Sequence, residues 1–367
     1  MKTNLSQHNE LFFRIFPVPT FLASSSVGID ISEKTIRFVE LVRNKKGIEI
    51  KKWGAQDMAF GIVQSGDILQ PEELKKVLSH IKEQQEFQYI SATMPEEKAY
   101  LFKTSVAVST SGNIRESIEF ILEENVPITR AESVFDYAVI PNQIARDTHD
   151  VSVSVLPADI VHNFLSAFKS AGLEPHIFQT ESRAIARAVV REGDLGTHMI
   201  INFGKSKTGV SVVSEGVVQF TSTINIGGED LTALIQKYLH VDEVEAERIK
   251  LTEGLVRRTE NEIVFTSIIA AVSALKDEIS RLFFYWNTHK DSVTGASSHK
   301  IERIILCGRD SLMEGFDDYI ASSLKTHTEI ANVWINVFPG FETVPAIPHD
   351  ESLDYAAAIG VALQQII

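Results

Sequence analysis

The sequence predicts an α/β protein built from two similar lobes, and three observations carry that expectation. Strand-like and helix-like apolar runs alternate along a chain of 367 residues. That length exceeds the roughly 250–300 residues at which single hydrophobic cores stop growing. One hairpin pattern also occurs twice: an apolar run ends in an acid or amide, a tight polar turn follows, and a β-branched run returns. The first copy surrounds Asp30 and the second surrounds Asn202. Two copies far apart in one chain imply two lobes that face each other.

The elements follow in order. Ser26 to Val42 (SVGIDISEKTIRFVELV) reads as two strands around a turn at Ser32-Glu33-Lys34, and Ile48 to Trp53 extends it into a meander. Pro71 opens a helix at its first turn, with Leu74, Val77, Leu78 and Ile81 on one face. Tyr89 to Met94 is a buried strand. Lys98 to Val108 is another strand, and Asn113 to Asn125 is an amphipathic helix with Ser111 or Asn113 as cap and Pro127 as stop. Ser133 to Ile140 and Val151 to Leu156 complete a strand–helix–strand–strand insert, joined by the polar stretch Pro141 to Asp150. Asp159 to Ala171 is a helix ended by Gly172, and Glu181 to Arg191 is a second. The repeated hairpin comes next: Met199 to Phe203, a turn at Gly204-Lys205-Ser206-Lys207, then Thr208 to Val213, with Val217 to Ile226 as third strand. Beyond Gly227-Gly228 the chain is helical, mainly over Asp242–Lys250 and Val264–His289. Ile301 to Leu306 is a strand, a helix opens at Ser311, and Glu351 to Leu363 is a small-residue helix suited to close packing.

Composition narrows the classes of function. Hydrophobic residues are 44% and charged residues 23% of the chain, as in a folded globular protein. A net charge of -14 argues against broad contact with a nucleic-acid backbone, which needs clustered Lys and Arg. It leaves a single nucleotide possible, because backbone N–H groups hold phosphates without net positive charge. Cys307 is the single cysteine, so neither a disulfide framework nor a cysteine zinc site can form, and a reducing cytoplasm is expected. The apolar run Leu11 to Ala23 is too short to span a bilayer and is interrupted by Arg14, Pro17 and Pro19. It reads as an arm packed on the body, with a membrane-surface or partner contact as the alternative.

The motifs GIDISEKTIRFVEL, IRESIEFILEENVP with FDYAVI, ESRAIARAVV, IINFGKSKTGVSVV, INIGGEDLT, EAERIK, KDEISRLFFYW, RIILCGRD and DYAAAIGVAL occur in an order that resembles the actin-like ATPases. They are most similar to the PilM family of type IV pilus assembly proteins, relatives of the cell-division protein FtsA. Each motif alone is weak; the shared order, from about Val27 to the C-terminus, is what carries the resemblance. It implies an actin-like (ribonuclease H-like) two-lobed fold. The divisions expected are an arm (1–25), a first lobe in two parts (26–95 and 158–196), the inserted subdomain (96–157), a second lobe (197–350) and a C-terminal helix returning to the first lobe (351–367).

The resemblance also implies a cleft for ATP and Mg2+. Asp30, Ser32, Lys34 and Thr35 of the first hairpin and Asn202, Gly204, Lys205 and Thr208 of the second would flank the phosphates, since tight turns present N–H groups to anions. Asp30 would place Mg2+ through water. Gly227 and Gly228 would join the nucleotide site, although a turn before a helix explains them equally well, and Glu247, Lys250, Gly308 and Arg309 would face the sugar and base. Three positions depart from the family pattern: Asn202 stands where Asp is usual, Ser32 where Gly is usual, and Gly308 alone, followed by Arg309 and Asp310, where a run of glycines is usual. The expected function is an ATP-binding pilus or secretion scaffold with slow hydrolysis at most. It would lie at the inner face of the membrane and dock the tail of a PilN-like protein beside the insert. Candidate docking residues are Val126, Pro127, Ile128, Phe135 and Tyr137. Pilus motor ATPases, a PilC-like platform protein and self-association are further partners the resemblance suggests. A nucleotide-free adaptor and an FtsA-like division protein are the alternatives; a sugar kinase is disfavoured, because no separate substrate motif is present.

Overall fold

The computed structural model describes residues 25–366 apart from 45–46, 108–112, 142–147, 260, 289–298 and 339–343. The expected N-terminal arm, except Ser25, lies outside the described residues, as do Ser111 and most of the Pro141–Asp150 connection.

The chain opens with β1 (Ser26–Ile31), β2 (Thr35–Asn44) and β3 (Gly47–Asp57), a meander whose first turn falls at residues 32–34. A short hairpin, β4 (Val63–Gln64) and β5 (Asp67–Ile68), leads to α1 (Pro71–Gln85) and β6 (Tyr89–Met94). The insert follows as β7 (Tyr100–Ala107), α2 (Ile114–Asn125), β8 (Ser133–Val139) and β9 (Thr148–Pro157). Asn113 caps α2 by accepting from the Arg115 N–H at 3.1 Å. Then come α3 (Ala158–Ser170), β10 (Glu174–Thr180) and α4 (Glu181–Val189). The second half begins with β11 (His198–Phe203), β12 (Thr208–Ser214) and β13 (Val217–Ile224). It continues with α5 (Gly228–Leu239), α6 (Glu243–Glu253) and α7 (Glu262–Thr288). The last elements are β14 (Arg303–Cys307), α8 (Phe316–Leu324), β15 (His327–Ile330), α9 (His349–Ser352) and α10 (Ala356–Leu363).

Two five-stranded sheets share one topology. The first runs β10-β6-β1-β2-β3 and the second β15-β14-β11-β12-β13. In each, the first three are parallel and the last two antiparallel. The duplication expected from the two hairpins therefore extends to whole sheets. The insert forms its own three-stranded sheet, β7-β9-β8, with β8 at an edge.

Among the described residues, four apolar clusters hold these layers. One lies between the first sheet and α1 and α3, around Ile29, Leu74, Phe164 and Phe168. A second packs the other sheet on α5–α8, around Ile201, Leu231, Ile268 and Phe316. The third joins the two lobes through α4 and α10 and includes Val39, Ile185, Ile200, Ile305 and Ile359. The fourth is the core of the insert. Small residues let α10 lie directly on the sheet: a Cβ at Gly28 would run into Ala358 O and Ala362, and one at Gly360 into Ala184. Gly28 is thus a packing residue under the C-terminal helix.

The structure differs from expectation at the edges of both sheets. β10 (EPHIFQT) and β15 (HTEI) each add a strand that neither alternation nor a buried run signals. Pro175 is tolerated because β10 is an edge strand. The expected helix at Ser311 is a short 3-10 turn over Arg309–Leu312, with α8 beginning only at Phe316. The small-residue C-terminal helix is interrupted by a 3-10 turn at Leu353–Tyr355, which brings Asp354 to the cleft.

Candidate functional site

Both hairpin turns open on one cleft between the lobes, lined by Asp30 to Thr35 on one side and by Asn202 and Gly204 to Lys207 on the other. The turn chemistry explains the first side. Ser32, at a position expected to favour glycine, closes the turn itself: its hydroxyl donates to Thr35 O at 2.9 Å and accepts from the Thr35 N–H at 3.2 Å. Asp30 ends β1 nearly buried and accepts from the Thr93 hydroxyl on neighbouring β6. Desolvation pushes its carboxyl above the usual carboxylate range, against the pull of the Thr93 bond and of Arg37.

Asn202 occupies the corresponding place on β11. Its amide donates to Glu181 Oε1 at 2.9 Å. Glu181 begins α4, and burial pushes its carboxyl up to about 8, with Asp30, Glu97 and Glu96 adding to the rise. Glu96 is also raised by burial, although Ser182 donates its N–H to it at 3.0 Å. The cleft floor is therefore a group of carboxyls, Asp30, Glu96 and Glu181, whose proton affinity burial raises. A neutral amide at position 202 suits this floor better than another carboxylate. Among the described residues, no group of three or more His, Cys, Asp or Glu side chains is arranged to hold a metal ion.

Cations tie the two sides together. Lys207 of the second turn reaches Glu33 of the first at 3.0 Å and Glu97 at 2.6 Å. Lys34 reaches Glu229, at the start of α5, at 2.5 Å. Arg37 Nη2 donates to Asp354 Oδ2 at 2.9 Å, and the Arg309 N–H donates to Asp354 Oδ1 at 3.0 Å.

Six further residues expected at the nucleotide are not brought into the open cleft. Gly227, Gly228, Glu247, Lys250, Gly308 and Arg309 are absent from its lining. Lys250 is 1% exposed and bonds Glu247, Thr232 and Gly228 O, with Asp310 in direct ion contact. Gly308 takes a left-handed φ of 80° against Phe203 O, so its role is backbone geometry. Thr208, expected to touch phosphate, is fully buried and donates its hydroxyl to Ile226 O at 2.7 Å.

With the geometry set, comparison with known proteins places the chain. The family described as type IV pilus assembly protein PilM matches residues 28–366. The chain belongs to the PilM family. A solved structure described as a PilM–PilN type IV pilus biogenesis complex aligns with a TM-score of 0.75 at 18% identity, covering 94% of this chain and 99% of that one. The ethanolamine utilization protein EutJ from Carboxydothermus hydrogenoformans aligns at 0.54 and 14% identity, covering 95% and 91%. MreB5 of Spiroplasma citri bound to ADP aligns at 0.51 and 14%, covering 93% and 98%. At these identities the likeness is one of fold, and the fold is actin-like.

In this PilM-family chain the candidate docking residues divide by burial. Val126 and Phe135 belong to the insert's core, where Arg115 lies 4.4 Å over the Phe135 ring. Ile128 and Tyr137 are partly buried against that core, and Pro127 is exposed. Core packing, which fixes helix α2 on its sheet, accounts for most of the apolar pattern that suggested a groove. The insert leaves the β8 edge open, with Val134 and Val139 exposed, and Phe120 of α2 is exposed as well. Among the described residues no helix is long and apolar enough to cross a membrane.

Sequence reasoning missed Glu181, Glu96, Arg37, Asp354 and Lys207 as cleft residues. A glutamate opening a helix was the one readable signal, in ESRAIARAVV, and it was equally an ordinary helix start. The others enter the cleft through contacts between distant parts of the chain.

Proposed function

We propose that this chain is a docking scaffold of type IV pilus assembly that binds the N-terminal tail of a PilN-like membrane protein at the inner face of the cytoplasmic membrane. The observation that carries the reading is the PilM family match over nearly the whole chain. The fold shared with a PilM–PilN complex supports it. The β8 edge offers unpaired backbone groups beside Val134 and Val139, and an extended tail can add a strand there. Pilus motor ATPases, a PilC-like platform protein and further copies of the chain are the wider partners this role calls for.

ATP with Mg2+ is the ligand that an actin-like cleft suggests. Asp30 would be the residue placing the metal, and Lys34, Lys205 and the Gly204 turn would be the groups near the phosphates. The residues present fit this only in part: position 202 carries no charge, and Lys250 already has its partners. The scaffold role needs no hydrolysis, and none is assigned.

The test is calorimetric titration of a synthetic PilN-like tail peptide into the full chain. Micromolar binding that is weakened at least tenfold by Val134→Asp with Val139→Asp supports the reading. No binding to any tail from the same genome would end it.

A further inference from the structure

We infer that Asp310 stands where a nucleoside would sit, so that the chain's own side chains close the sugar and base half of the cleft and hold it shut without nucleotide. The inference rests on the reading above that Glu247 and Lys250 are the sugar-facing pair.

Four sets of contacts lead there. First, Lys250 is saturated. An ammonium has three donors, and Lys250 already faces Glu247 Oε2 at 2.7 Å, Thr232 Oγ1 at 3.0 Å, Gly228 O at 3.2 Å and the Asp310 carboxylate. No hydrogen is left for a ribose hydroxyl. Second, Asp310 is 2% exposed and lies directly on Gly228: a Cβ there would run into its carboxylate. The room that Gly228 makes is filled by Asp310, from within the chain.

Third, the N-terminus of α5 has no donor to offer. The free N–H groups of a first helical turn are what bind an anion. Here the Gly228 N–H donates to Gly204 O at 3.0 Å and the Glu229 N–H to Lys205 O at 2.9 Å. The Gly227 N–H donates to Asp230 Oδ2 at 2.9 Å, and the Asp230 N–H to Gly227 O at 3.2 Å. Fourth, the turn carrying Asp310 is tied to the first lobe, because the Arg309 N–H and Arg37 share Asp354. The open part of the cleft accordingly ends at the hairpins and does not reach Gly228, Lys250 or Gly308.

An ordinary buried ion pair would satisfy Lys250 too. The distinction is that removing Asp310 should expose a nucleoside site, which a merely structural pair would not do. The full chain is titrated by calorimetry with Mg-ATP, with adenosine and with tripolyphosphate. The wild type is expected to show no saturable adenosine binding up to about 1 mM, a weak-binding limit, and to bind ATP no better than tripolyphosphate. Arg309→Gly with Asp310→Gly is expected to bind Mg-ATP at least tenfold more tightly than the wild type, with adenosine competing. Lys250→Met with Asp310→Leu removes the charges but keeps the space filled, and should gain nothing.

Wild-type binding of Mg-ATP at micromolar Kd that adenosine displaces would overturn the inference. So would a double-glycine variant that retains wild-type circular dichroism and still shows no gain. Should that variant fail to fold, the wild-type titrations decide alone. Tail-peptide binding, measured on the same samples, separates this outcome from the docking reading: either can fail while the other stands.

Discussion

The two hairpins share a topology and differ in what their terminal polar residue faces. Asp30 ends β1 against the Thr93 hydroxyl on its parallel neighbour β6. Asn202 ends β11 and reaches across to Glu181 on α4, which belongs to the other lobe's packing. The first hairpin thus satisfies its acid within one sheet, and the second joins two lobes through a neutral amide. The positions two residues earlier show the same division. Gly28 leaves room for α10 to touch β1, whereas Ile200 is a side chain of the interlobe cluster. A duplicated framework has been fitted to one shared helix, and that asymmetry sets which changes each side tolerates.

The largest effect is expected where α10 touches β1. Gly28→Val forces a branched side chain into Ala358 O and Ala362, and backbone cannot give way as a side chain can. A loss of about 3 kcal/mol or more is expected by urea denaturation. Ile200→Val, two residues before Asn202, should cost only about 1 kcal/mol. Equal costs would show that the helix does not distinguish the lobes.

Next comes the buried pair of the second lobe. Lys250→Met alone leaves Asp310 buried and unpaired, and a loss of about 3 kcal/mol is expected. Adding Asp310→Leu should recover most of it, because a well-packed apolar pair can replace a buried ion pair. Asp310 is pushed up to about 6 by burial in spite of Lys250, which is the sign of an ion pair under desolvation stress. A double variant no more stable than Lys250→Met would break this account.

The carboxyl floor gives a pH dependence of intermediate size. Glu181 is raised from 4.5 to about 8, so between those values the folded chain holds a proton that the unfolded chain releases. Stability contributed by that group is present below about pH 4.5 and is lost as pH rises through about 8. Glu181→Gln keeps an acceptor for Asn202 and removes the titration. Its unfolding midpoint should be flatter from pH 5.5 to 8.5, with a gain on the order of 1–2 kcal/mol over wild type at the upper end. Asn202→Asp, which makes the two hairpins chemically alike, should act the opposite way at pH 8 and be nearly neutral at pH 6, where Glu181 still carries its proton and can donate. A pH-independent effect would place Glu181 outside the titrating floor.

Much of the fold was legible because local patterns decide it. Alternation fixed both hairpins, and Pro71 and Asn113 marked helix starts that the structure keeps. The edge strands β10 and β15 were not legible, since a strand completed by one neighbour needs little hydrophobic pattern of its own. The cleft was readable at Asp30 and Asn202, which are placed by strand ends. Its contacts were not: Lys250 meets Asp310 and Arg37 meets Asp354 only when distant segments pack, and Lys207 meets Glu33 only after the lobes close. A charged residue carries no local mark of its distant partner, so nothing in EAERIK shows that Lys250 is bonded to Glu247 and meets Asp310. Burial misled in the insert as well. Val126 and Phe135 form a pattern that a groove and a core would share, and the fold uses it as core.

The smallest effect tests the bridge between the hairpins themselves. Lys207 is held by Glu33 and Glu97, and their carboxylates keep its ammonium above the usual lysine range against desolvation. Its side chain is 25% exposed, so solvent screens these pairs, and exposed pairs contribute about 0.2–1 kcal/mol each. Lys207→Ala should therefore cost about 1 kcal/mol at low salt and less in about 1 M NaCl, where the screening length falls to roughly 3 Å. Its more telling readout is amide exchange. If Lys207 joins the lobes, protection should fall at both turns, residues 32–34 and 204–207, and not in β6 or β14. Loss confined to the second turn would mean that the hairpins stay together through Lys34 and Glu229, leaving the Lys207 contacts as consequences of closure.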